Sequence, residues 1–135
     1  MIPVNDYHAI FTPGEMERLF PHHLSDDFFE ALLGDAREGA YDIRLSFKSA
    51  STHQLSFELE LHRRPDKCLV CSLTYGLPKV FARHPIINLS GLVQRISDRL
   101  NGRAIICKWK LGRTLEISKN LHVVPLVIDL AGPRP

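Results

Sequence analysis

Two neighbouring runs of period-two alternation constrain this chain more than any other feature. Tyr41, Ile43, Leu45 and Phe47 alternate with Asp42, Arg44, Ser46 and Lys48, and Leu55, Phe57, Leu59 and Leu61 alternate with Ser56, Glu58, Glu60 and His62. Successive side chains on a strand point to opposite faces, so each run has one apolar and one polar face. The polar stretch 49–53 between them reads as the turn of a hairpin. Such a hairpin is at best marginal alone, so the rest of the chain must cover its apolar face.

Helical segments on either side supply the cover. Thr12-Pro13-Gly14-Glu15 is a helix start, with Thr12 as cap, Pro13 at the first helical position and Glu15 at the third. Pro21 ends that helix. Ser25 then reads as the cap of a second short helix, with Asp26 and Asp27 in its first turn, Phe28, Phe29, Leu32 and Leu33 as its apolar stripe, and Gly34 as its stop. The clearest helix spans 89–100, where Leu89, Leu92, Val93, Ile96 and Leu100 form one narrow stripe and Asn101-Gly102 ends it. Burying five such side chains contributes on the order of 10 kcal/mol gross. Docking of this helix on the sheet should therefore dominate the fold.

Further strands are expected. Arg64-Pro65-Asp66-Lys67 makes a turn into a third strand over 68–75, and the stretch 76–85, with Pro78 and Pro85, reads as irregular. Ile105, Cys107, Trp109 and Leu111 take the inward register of a later strand, followed by Leu115 and Ile117 in the next. The run 123–130 is almost wholly apolar, as in a strand buried on both faces, although Pro125 points to an edge or a bulge. The order is α-α-β-β-β-α-β-β-(β). This predicts a single α+β domain over 1–135, with helices on one face of an antiparallel sheet. Only the first few residues and Gly132-Pro133-Arg134-Pro135 read as tails.

At 135 residues the chain can bury a core without disulfide or metal staples. Its net charge of +2 conceals a split. Residues 1–66 carry twelve Asp and Glu against six Lys and Arg, and residues 67–135 carry three against eleven. Such polarity can serve association or long-range attraction. The N-terminus has no signal-peptide pattern, no run approaches a membrane span, and three cysteines read as thiols of a reducing, cytoplasmic compartment.

Few residues form a recognisable chemical set. Cys68-Leu69-Val70-Cys71 could contribute half of a zinc site, with Cys107 and a histidine completing it. A strand opposes that reading, because residues three apart face opposite ways and Leu69-Val70 offers no turn. The seven histidines are scattered, with no HExxH, and neither a nucleophile elbow nor a glycine-rich phosphate loop occurs. No catalytic set and no cofactor are therefore expected. The basic half offers Arg95 and Arg99 one turn apart, Arg103 beyond them, Lys108 and Lys110 on one strand face, and Arg113 in its turn. These six residues could bind a partner or nucleic acid, but no exposed aromatics accompany them for base stacking.

The segments Glu38-Gly39-Ala40-Tyr41-Asp42-Ile43, 67–85 and Trp109-Lys110-Leu111-Gly112-Arg113 resemble a family of small bacterial proteins without established function. Some members carry homeobox-type names, which a chain with this many strands does not support. The α-β-β-β-α core is similar in order to a double-stranded-RNA-binding domain, and α-β-β-β-α-β-β to dimeric type III secretion chaperones. These are analogies of order alone. The functional expectation is a non-catalytic protein-interaction module, acting with a protein partner or as a homodimer. Nucleic-acid binding, or metal binding through Cys68, Cys71 and Cys107, is the alternative.

Overall fold

A computed structural model describes residues 3–69 and 74–131 of the chain. The expected α+β architecture is present. Helices α1 (Tyr7–Ile10), α2 (Pro13–Leu19) and α3 (His23–Leu33) lead into the hairpin β1 (Tyr41–Ala50) and β2 (Gln54–Arg63). Helices α4 (Leu77–Arg83) and α5 (Leu89–Leu100) follow, then β3 (Ile106–Leu111), β4 (Leu115–Ser118) and β5 (Leu121–Leu130). The sheet order is β1-β2-β5-β3, with β4 also on β5, and every pairing is antiparallel. β3 and β4 therefore lie end to end along one edge of β5, while β1 forms the other edge.

One core joins the helices to the inner face of the sheet. Ile43, Leu45, Leu55, Phe57, Leu59 and Leu61 meet Leu126, Ile128 and the α5 stripe Leu89, Leu92, Val93, Ile96 and Leu100, all buried. Helix α5 has the expected bounds, and the Asn88 side chain accepts from the Gly91 N–H at 3.2 Å to cap it. Thr12 caps α2 through the Glu15 N–H as expected. Gly34 takes the left-handed conformation that stops α3, with φ 83°.

Several expectations are corrected. Ser25 does not cap α3, which begins two residues earlier. It lies inside the helix, where its Oγ accepts from the Ile43 N–H at 2.8 Å. Phe28 and Phe29 are buried, but Leu32 and Leu33 are exposed, because α3 packs on the edge strand β1 and its last turn has no further strand beneath it. Val4–Asp6 form an exposed 3-10 turn, and the core begins just after it with Tyr7 and Phe11. The stretch 76–85 contains α4, with Leu77 and Phe81 buried one turn apart. Pro78 breaks nothing there, because first-turn N–H groups have no helical partner to lose.

The third strand expected over 68–75 does not form at either end: Leu69 lies in a turn and Thr74–Gly76 is a 3-10 helix, while 70–73 lie outside the described residues. Both topological analogies need that strand. The edge of β2 away from β1 is occupied by β5, with nine consecutive paired positions. Pro125 is also not at an edge, since β5 lies between β2 and β3–β4. Its backbone faces the gap between those two short strands, where the Gly112 N–H donates to its carbonyl at 2.8 Å. The missing N–H thus removes no bond to β2.

Candidate functional site

The six cations singled out in the sequence are not gathered on one face. Arg95 and Arg99 turn toward α2, where Arg95 donates to the Leu19 carbonyl at 3.1 Å and Arg99 Nε to Glu15 at 2.9 Å. The Arg99 hydrogen bond, joined by Arg18, holds the Glu15 carboxyl below its usual range against slight desolvation. Arg103 donates to the Leu100 carbonyl at 3.4 Å. Lys108 and Lys110 lie on the outer face, away from the helices, with Lys108 Nζ 3.8 Å from Asp129. Arg113 is exposed between β3 and β4.

Nor do the acidic and basic halves neutralise one another. Among the described residues, Glu15–Arg99 is the one ion pair that joins them. The other ion pairs among the described residues stay within one half, as in Lys48 with Glu58 and Glu60, or Arg64 with Asp26 and Asp42. Arg64 also donates to the Ala36 carbonyl at 2.8 Å and lies over the Phe29 ring at 5.3 Å. It clamps α3, the 36–39 turn and β1 together, a role its place in a surface turn did not signal.

The edge formed by β3 and β4 is unequal along its length. In β3, Ile106 pairs with Leu130 and Lys108 with Asp129, a bulge in which Cys107 is the extra residue. Trp109 and Leu111 pack against the core as expected, but the bulge shifts the register before them: Ile106 packs inward, whereas Ile105 and Cys107 are exposed. In β4 all four residues are exposed, with Leu115 at 45% and Ile117 at 59%. Leu115 lies directly across from Val123, which alternates with the inward-facing Val124. Leu115 therefore shares the outer face, contrary to its expected inward position. Beside it on that face run Leu121, Pro125 and Val127.

At the opposite edge, a groove of about 580 Å³ opens between the N-terminal helices and β1. Phe11, Met16 and Phe47 supply its apolar wall, with Phe11 and Phe47 ring centroids 5.3 Å apart. Arg44, Ser46, Glu17, His22 and Glu60 line its polar side. Glu17 accepts from the His22 ring at 2.7 Å and from the His22 backbone N–H at 3.0 Å, which together hold its carboxyl low. Burial tends to raise Glu60, but the hydrogen bond from the His62 ring at 3.0 Å and the nearby Lys48 charge outweigh it and leave this carboxyl low too.

Cys68 and Cys107 are exposed, and Cys71 lies outside the described residues. Among the described residues no three His, Cys, Asp or Glu side chains come together to hold a metal. A buried polar trio went unnoticed in the sequence. Thr74 Oγ1 lies 2.6 Å from His122 Nδ1, and Thr114 Oγ1 donates to the Thr74 carbonyl at 2.7 Å. All three residues are buried, so they fasten the 74–76 turn onto β5 and the start of β4 and offer no substrate access. No helix among the described residues is long and apolar enough to cross a membrane. No family model, curated protein or solved structure matches the chain.

Proposed function

We propose that this chain is a non-catalytic protein-interaction module that pairs with a second copy of itself along β4. The exposed Leu115–Ser118 strand carries the reading. A strand edge is a template for pairing, and stable monomers blunt it with bulges and lysines. β3 has both, in the Cys107 bulge and in Lys108 and Lys110. β4 also shifts register at Ile117, between Glu116 and Ser118, but it has neither lysine nor proline within it, and it exposes Leu115 and Ile117 next to the half-buried outer-face residues Leu121, Pro125 and Val127. Two copies of β4 related by a twofold axis would extend the sheet and bring the Leu115 and Ile117 side chains of the partners against one another.

Light scattering after size exclusion tests this. A dimer that persists at high salt and dissociates in Ile117→Lys and Leu115→Glu supports the proposal. A monomer at every concentration, or a dimer indifferent to both substitutions, overturns it. Nucleic-acid binding draws less support, because Arg95 and Arg99 are engaged with α2, on the side of the sheet away from Lys108 and Lys110. A polarisation titration with labelled single- and double-stranded oligonucleotides at low salt is expected to show no saturable binding.

A further inference from the structure

We infer that the groove beside β1 binds an extended segment of a partner protein, which adds to the sheet as a strand opposite Leu45–Phe47 and carries apolar–acidic–apolar alternation. This deepens the interaction-module reading but uses the edge opposite β4, so either can fail alone.

The pairing pattern identifies the open positions. The Arg64 N–H donates to Ala40 O at 2.9 Å, so even-numbered positions at the start of β1 face β2. Odd-numbered positions 41 to 47 then turn their N–H and C=O outward, because hydrogen-bonded and non-bonded pairs alternate along an antiparallel ladder. At Ile43 these groups are taken by Ser25, whose Oγ accepts from the N–H at 2.8 Å and donates to the carbonyl at 3.4 Å. One step on, among the described residues, no hydrogen bond reaches the outward backbone groups of Leu45 or Phe47, and both residues line the groove. Ser25 thus closes the edge where α3 covers it, and the edge opens where the groove begins.

The walls specify the occupant. A strand added here places alternate side chains on the two faces. Residues opposite Leu45 and Phe47 would lie toward Phe11 and Met16, which favours aliphatic side chains. The residue between them would lie on the outer face beside Ser46 and Arg44. Glu17 and Glu60 already have partners in His22, His62 and Lys48. Arg44 lies across from Glu60 and its charge helps to lower Glu17, yet it is exposed and makes no ion pair among the described residues. Its guanidinium donors are therefore left for a ligand, and an acidic residue complements them.

The test uses the full chain and three fluorescein-labelled peptides: Gly-Val-Glu-Ile-Glu-Val-Gly, the same peptide with Lys for Glu, and the Glu peptide with N-methylated backbone. The Glu peptide is expected to bind and to slow amide exchange at Leu45 and Phe47. The Lys peptide should bind roughly two- to fivefold more weakly, as fits an exposed charge pair. The N-methylated peptide should not bind, and Arg44→Glu should reverse the preference between Glu and Lys. No binding of the Glu peptide, equal binding of its N-methylated form, or protection confined to Leu115–Ser118 overturns the inference. Protection of Leu45 and Phe47 that rises with protein concentration alone overturns it in favour of a second copy at this edge.

Discussion

Ser25 shows how a single side chain can close part of a sheet edge. Its hydroxyl is buried in α3 and satisfies both outward backbone groups of Ile43. Ser25→Ala would strand a buried N–H and C=O, at a cost of about 1–3 kcal/mol. Urea denaturation reads that loss. Gly39 is constrained by close approach, since a Cβ there would lie 2.2 Å from the Phe29 ring. Gly39→Ala forces that buried ring to move and should destabilise the fold by about 1–3 kcal/mol in the same assay. Neither contact is visible in the sequence, because each joins residues from different elements. Arg64 was hidden for the same reason: it looked like a turn residue, yet its partners are Asp26, Ala36 and Asp42.

At the scale of elements, legibility followed burial on one face. The α5 stripe and the β1–β2 alternation were readable because a single packing surface imposes each period. Ile96 is fully buried in that stripe, so Ile96→Ala should cost about 2–5 kcal/mol, measured by thermal or urea unfolding. Where two elements compete, periodicity misleads. Thr74 and Tyr75 belong to the run read as a third strand, yet Thr74–Gly76 form a 3-10 helix, while β5 holds the edge of β2. One bulge at Cys107 was enough to shift the register at the start of β3, leaving Ile105 and Cys107 exposed and Ile106 inward. The candidate sites were the least legible part, because strand edges and the groove exist only after the strand order is set. Leu115 and Ile117 looked like core residues for that reason, since their exposure follows from being at the edge.

For the whole molecule, the charge split remains largely uncompensated between halves, with Glu15–Arg99 as the ion pair joining them among the described residues. Stability should follow the local carboxylates instead. Glu15, Glu17 and Glu60 are each held below the ordinary carboxyl range in the fold. Their contribution is therefore fully present above the unfolded value of about 4.3 and is lost as pH falls through the lower folded values. Urea midpoints should be flat across neutral pH and fall in acid, with a shallower fall in Glu60→Gln and at high salt. The central claim concerns self-pairing along β4. Amide hydrogen exchange of Leu115–Ser118 across a protein dilution series tests it most directly. The account predicts slow exchange in concentrated protein that becomes fast on dilution, and exchange at the same rate across the whole series would contradict it.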